Sequence, residues 1–133
     1  KYKSSMPYTE ATILEALRLI SQSPLSGLRT ASDDINFDGM TIPKNTLVFI
    51  NNWYFFHDEK YYEDPWTFKP ERFLDTDGNS LPVDHPIRRN LIPFGVGVRS
   101  CPGEGFARSR VFIFLISMLQ RYDILPPVTE KLV

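Results

Sequence analysis

Six of the eleven prolines fall in one stretch, at Pro65, Pro70, Pro82, Pro86, Pro93 and Pro102. Proline lacks the N–H that a helix interior or a central strand needs, and its ring fixes φ, so this spacing predicts irregular structure rather than long helices there. Long helices are left to the flanks. On the N-terminal side, Ile13, Leu14, Leu17 and Ile20 recur at helical spacing to about Ser21, with Ser5 as the expected cap and Pro7 tolerated in the first turn. On the C-terminal side, the run from Gly103 to about Tyr122 is apolar on nearly every face through Val111, Phe112, Ile113, Phe114, Leu115, Ile116, Met118 and Leu119, the pattern of a helix buried in a larger core. After Pro24, the segments Leu28 to Ala31, Ile35 to Phe37, Met40 to Ile42 and Leu47 to Ile50 read as short strands of one small antiparallel sheet. Asp38-Gly39 and Pro43-Lys44-Asn45-Thr46 supply its turns.

A chain of 133 residues can bury a sizeable core, and 42% hydrophobic with 23% charged residues argues against disorder. A net charge of −1 gives no overall electrostatic case for binding nucleic acid. The single cysteine excludes an internal disulfide and fits a reducing compartment. The most apolar run, Val111 to Met118, is too short to span a bilayer, which takes about 20 residues.

That cysteine, Cys101, lies among three glycines, Gly95, Gly97 and Gly103, in a stretch suited to tight bends and close backbone approach. Pro102 fits the first position of a helix, which would put Cys101 at an N-terminus that favours thiolate, and Arg99 adds a fixed positive charge nearby. Such a thiolate is a metal ligand or a nucleophile; a buried structural cysteine would need neither the glycines nor the arginine. A nucleophile usually has a histidine base, and His57 and His85 lie in loop-like sequence with no visible tie to it. One cysteine and two scattered histidines lack the paired spacing of a zinc site. A haem iron needs one protein ligand only.

The stretch Phe94-Gly95-Val96-Gly97-Val98-Arg99-Ser100-Cys101-Pro102-Gly103 resembles the haem-binding signature of the cytochrome P450 family, F-x-x-G-x-R-x-C-x-G, at every fixed position. Glu15-Ala16-Leu17-Arg18 resembles the family's E-x-x-R motif and Pro70-Glu71-Arg72-Phe73 its P-E-R-F motif. The resemblance implies an α+β, mainly α arrangement, the C-terminal part of the P450 fold with its K and L helices, small antiparallel sheet, meander and cysteine-ligand loop. Residues 1–133 are then a haem-binding fragment of one longer P450 domain, and both ends, including the close after Asp123 to Pro127, read as cut. Asn51 to Phe56 is expected to be a short helix, and His57-Asp58 surface or loop residues.

The cofactor implied is haem b, iron protoporphyrin IX, with the Cys101 thiolate as axial ligand, pushing electron density onto iron. Arg99 and Arg29 are expected to neutralise its propionates, and Phe94 to pack beside the sulfur. Pro93, Gly95, Pro102, Gly103 and Ala107 complete the expected cofactor contacts, with Gly103 and Ala107 small to allow close approach. Glu15, Arg18 and Arg72 are expected to form a structural brace, one buried carboxylate between two guanidinium groups, with backbone carbonyls taking the remaining donors. Ser23 to Leu28 resembles a substrate-contacting stretch.

The implied reaction is monooxygenation, one atom of O2 entering a small apolar substrate and the other leaving as water. Alternatives are a P450-fold isomerase or dehydratase that does not use O2, and a truncated, non-enzymatic fragment unable to hold haem. From Pro86 to Arg110 there are five arginines (Arg88, Arg89, Arg99, Arg108, Arg110) and one acid, Glu104, a net of +4. From His57 to Asp84 there are eight acids and three bases, a net of −5 with His57 neutral. The basic zone would suit an acidic electron donor such as NADPH-cytochrome P450 reductase. By the same resemblance the protein sits on the cytosolic face of the endoplasmic reticulum membrane, through an N-terminal anchor outside this chain.

Overall fold

A computed structural model describes residues 5–125. The chain separates into two compact units, Lys1–Ser100 and Cys101–Val133. Pro126 and Pro127, on which the expectation of a cut C-terminus partly rests, lie outside the described residues.

The first unit opens with α1 (Pro7–Ile20). Pro7 occupies its first position, where the missing N–H costs nothing. A proline also pushes its predecessor out of helical conformation, and Met6, at φ −133°, is the residue at the cap position. The Glu10 N–H donates to Met6 O at 3.0 Å, closing the first turn. Ser5, expected as the cap, therefore stands one residue too early. At the other end Ser21 takes a left-handed conformation and its Oγ donates to Arg18 O at 2.8 Å. Of the apolar stripe, Ile13 and Leu14 are buried, Leu17 is half-buried and Ile20 is exposed.

The strands occur where the sequence places them, the middle two with the expected bounds and the outer two shorter, in two ribbons instead of one sheet. β1 (Arg29–Thr30) pairs antiparallel with β4 (Leu47–Val48), Arg29 opposite Val48. β2 (Ile35–Phe37) pairs with β3 (Met40–Ile42) across Asp38 and Gly39, both at positive φ as a tight hairpin requires. Ala31 carries the β1–β4 pairing into the turn: its N–H donates to Thr46 O (2.9 Å) and its carbonyl accepts from Asn45 N (2.8 Å).

α2 (Asn52–Phe56) begins one residue later than expected, since Asn51 is its cap and accepts from Tyr54 N at 3.0 Å. The proline-rich stretch beyond it is irregular, broken by a 3-10 turn (Pro70–Phe73) and by α3 (Pro86–Arg89). Six buried residues, Ala11, Leu14, Phe56, Tyr62, Phe73 and Leu91, form the core that joins α1, α2 and this stretch.

The second unit contains α4 (Glu104–Leu119). It is shorter at both ends than the sequence pattern. Gly103 is the cap residue and Pro102 lies before it, so the proline is not at the first helical position. Beyond Gln120, Arg121 N and Tyr122 N both donate to Met118 O in a closing turn. No residue of α4 is buried, and Phe106, Ile113 and Phe114 are more than 60% exposed, so its apolar circumference lacks the core that its pattern calls for.

Candidate functional site

Three charged side chains with no solvent exposure to speak of gather on the inner face of α1. Helical spacing sets Arg18 one turn beyond Glu15, and the 3-10 turn at Pro70–Phe73 brings Arg72 to the same carboxylate. Arg18 grips Glu15 with two parallel bonds, Nε to Oε2 and Nη2 to Oε1, both 2.8 Å. Arg72 Nε and the Lys69 N–H donate to Oε1 at 3.1 and 3.0 Å. One acid faces two cations, so carbonyls take the remaining donors: Phe56 O accepts from Arg18 Nη1 (2.7 Å), and Glu63 O from Arg72 Nη1 (2.9 Å). Asp64 O and Thr67 O accept from Arg72 Nη2 at 3.3 and 3.2 Å. Burial alone would raise the Glu15 pKa; the Arg18 and Lys69 hydrogen bonds, together with the two guanidinium charges, outweigh it and hold it below the ordinary value. Arg18 also lies over the Tyr62 ring, 5.2 Å from its centroid.

His57 lies in the turn that ends α2, as expected of a loop residue. It is buried, not a surface residue, because the α2 spacing stacks it on Trp53 (4.8 Å between centroids) and Trp66 closes over it at 4.6 Å. Its Nδ1 lies 2.8 Å from Trp53 O. The i, i+4 pair of Trp53 and His57 was the signal for this, legible in sequence once α2 was assigned. His85 caps α3, its Nδ1 accepting from Ile87 N at 3.4 Å.

The end of the first unit holds the loop of residues 93–99, with Pro93 and Phe94 half-buried. Gly95 and Gly97 have φ of 74° and 71°, a region that disfavours any residue with a Cβ, so the glycines there are a backbone requirement. Ser100 N donates to Gly97 O at 3.0 Å, closing a 3-10 turn over Gly97–Arg99. Arg29, seventy residues earlier, reaches this loop: its Nη2 donates to Arg99 O at 3.2 Å. Both guanidinium groups belong to exposed residues. The fold thus brings together the two arginines expected to serve the cofactor.

In the second unit Cys101 is an exposed free thiol. Its carbonyl accepts from Glu104 N at 3.3 Å, so the thiol stands one tight turn ahead of α4 and not within its first turn, a correction to the expected helix N-terminus. Gly103, at φ −90°, needs no left-handed freedom; a Cβ there would sit 3.8 Å from Cys101 Sγ, on the side of the sulfur. Ala107 N donates to Gly103 O at 2.9 Å in the first turn of α4. Among the described residues no three His, Cys, Asp or Glu side chains gather to hold a metal ion.

The basic zone expected from Pro86 to Arg110 is thinner than its sequence. Arg88 is tied to Glu10 at 3.1 Å and to Leu81 O at 2.7 Å, and Arg108 to Glu104 at 2.8 Å. Arg89, Arg99 and Arg110 remain as exposed residues. The Glu10–Arg88 pair had no sequence signal, because 78 residues separate its members.

A family model described as Cytochrome P450 matches residues 1–132. The chain is 42% identical over 130 residues to "Steroid 17-alpha-hydroxylase/17,20 lyase" of Ictalurus punctatus, covering 98% of this chain and 25% of that protein. It is 42% identical to "Cytochrome P450 2U1" of Mus musculus, covering 97% and 24%, and 40% identical to "Cytochrome P450 1A1" of Homo sapiens, covering 97% and 25%. The chain spans about a quarter of the length of these curated relatives.

Proposed function

The chain belongs to the cytochrome P450 family, and on that premise we propose that residues 1–133 form the haem-binding part of a single P450 domain whose full-length protein is a haem-thiolate monooxygenase. The observation that carries this reading is the single free thiol of Cys101, exposed and preceded by a glycine-shaped loop, in a chain that matches the family over nearly its whole length. The residues fit the cofactor by their chemistry. Haem b asks one soft donor of the protein, which Cys101 supplies, and its two carboxylates ask for cations, which the exposed Arg29 and Arg99 supply. Pro93, Phe94, Gly95, Pro102, Gly103 and Ala107 are further cofactor contacts in this reading. When bound, the haem supplies the chemistry of O2 activation, inserting one oxygen atom into an apolar organic substrate.

What the polypeptide does itself is narrower. Cys101 presents its sulfur; Gly95 and Gly97 let the backbone bend ahead of it; Glu15, Arg18 and Arg72 hold α1 against the proline-rich stretch as a rigid support. Electrons come from NADPH-cytochrome P450 reductase or a similar donor, for which Arg89 in the first unit and Arg110 in the second are exposed arginines of the basic zone that the cofactor does not claim. An apolar substrate class agrees with a relative named as a steroid hydroxylase. Placement on the endoplasmic reticulum membrane belongs to the same reading through chain outside this segment; no helix among the described residues is long and apolar enough to cross a membrane.

The test is the absorption spectrum of the full-length protein, reduced and saturated with carbon monoxide. A red-shifted Soret band that is lost in Cys101→Ser supports the reading; a wild-type protein that binds haem without that band overturns it.

A further inference from the structure

The loop of residues 93–99 leaves from a helix too short to hold itself. α3 has four residues, and a single helical turn is unstable in water because nucleation is costly. Its direction must be imposed from outside, and two anchors impose it. Leu91, whose N–H donates to Arg88 O at 3.1 Å, is buried in the core beside Ala11, Leu14 and Phe73. Arg88 is the other anchor. Its Nη2 donates to Glu10 Oε1 at 3.1 Å and its Nη1 to Leu81 O at 2.7 Å, while Ser80 Oγ donates to Glu10 Oε2 at 3.0 Å. The two side chains are 16% and 17% exposed, and both terminal nitrogens of the guanidinium, Nη1 and Nη2, and both carboxylate oxygens are engaged. That separates the pair from an ordinary surface ion pair, which is exposed and singly bonded. From Leu91 onward, backbone turns at Gly95 N to Ile92 O (2.9 Å) and Ser100 N to Gly97 O (3.0 Å) carry the direction of α3 to Arg99.

We propose that Glu10 and Arg88 are positioning residues: by fixing α3 from the first turn of α1, they set the course of the loop of residues 93–99 and the place of the Arg99 guanidinium. Its relevance to the cofactor rests on the haem-thiolate reading above. Arg88 is then unavailable to an electron donor, because its charge is spent inside the fold.

The test uses the full-length protein with Arg88→Ala, Glu10→Gln, the conservative Arg88→Lys and, as control, Arg89→Ala at the neighbouring exposed arginine. Before haem loading, tryptic cleavage after Arg99 is measured relative to cleavage after Lys44; in Arg88→Ala and Glu10→Gln the ratio rises about fivefold or more, since cleavage tracks the population of the open loop. After loading, the same variants lose much of the red-shifted carbon monoxide band relative to total bound haem. Arg88→Lys recovers part of both signals and Arg89→Ala changes neither. If Arg88→Ala does not accumulate, Glu10→Gln and Arg88→Lys decide. Wild-type ratios in Glu10→Gln and in the folded Arg88 variants overturn the positioning role. A wild-type protein lacking the red-shifted band removes the haem-thiolate reading instead, and the cleavage ratio still decides whether the pair sets the loop.

Discussion

Replacing Glu15 with alanine removes the one anion from a cluster of two cations. Glu15 and Arg18 have 0% exposure and Arg72 has 9%. Four donors lose their acceptor: Arg18 Nε and Nη2, Arg72 Nε and the Lys69 N–H. Arg18 Nη2 keeps only Thr67 O at 3.5 Å, too long to compensate, whereas Arg18 Nη1 and the Arg72 Nη groups keep their carbonyls. Summing four charge-assisted bonds would overcount, because they share two oxygens. The appropriate scale is that of a buried pair broken by loss of one partner, about 3–5 kcal/mol. Against a total stability of about 5–15 kcal/mol this removes about a fifth at the least, and in a marginal domain nearly all, of what holds it together. The assay is chemical unfolding of the full-length protein with haem content measured in parallel; Glu15→Ala should bind no haem when expressed in cells. Replacing all three residues by apolar ones, Glu15→Leu with Arg18→Met and Arg72→Leu, should recover only part of the loss: it removes the uncompensated charge, but the carbonyls of Phe56, Glu63, Asp64 and Thr67 then lose their donors. A Glu15→Ala protein that unfolds within about 1 kcal/mol of wild type and holds haem normally refutes the reasoning.

Two further outcomes follow from the same cluster. The folded Glu15 pKa is lowered, so its contribution is complete above the ordinary glutamate value near 4.5 and is lost as pH falls below that value towards the folded pKa; unfolding free energy measured against pH should fall over that acid range in wild type and more shallowly in Glu15→Gln. Tyr62, 1% exposed, has a hydroxyl with no hydrogen-bond partner among the described residues, and burial raises its pKa; Tyr62→Phe keeps the ring under Arg18 and should be neutral or stabilising by up to about 2 kcal/mol in the same unfolding assay, whereas a clear loss would reveal a partner for the hydroxyl.

What the residues announced in advance was local chemistry. Pro7 opening a helix, Asp38-Gly39 turning a hairpin, and prolines barring long helices between 65 and 102 each follow from backbone sterics of one or two residues. The motifs around Glu15, Arg72 and Cys101 were visible because a family resemblance carries tertiary information that spacing does not. Three features stayed hidden, wholly or in part, because they depend on who meets whom across the chain. The single expected sheet is two ribbons, because alternation within a strand does not say which neighbour it pairs with. Half of the burial of His57, its stacking on Trp53, was legible from spacing, but its other cover, Trp66, is nine positions away in an irregular segment. The helix start after Cys101 shifted because a turn from Cys101 O to Glu104 N competes with an early first turn, a choice of a fraction of a kcal/mol that propensity does not resolve.

These long-range contacts share one origin. A stretch studded with prolines cannot order itself, since it lacks the repeated backbone ladder that gives a helix or sheet its cooperativity. Its order has to come from side chains fixed elsewhere, and α1 provides them, two from its first turn and one from Glu15 further along. Tyr8 donates to Glu71 at 3.0 Å, Glu10 holds Arg88 and Ser80, and Glu15 holds Arg72 and the Lys69 N–H. The three tethers differ in burial, from exposed at Tyr8 to fully buried at Glu15, and so differ in strength. An exposed tether yields first. Loss of Tyr8 should therefore loosen only the 3-10 turn at Glu71, loss of Glu10 the α3 turn and the loop beyond it, and loss of Glu15 the whole stretch. This graded dependence makes α1 the part of the first unit whose substitutions reach the loop without touching it.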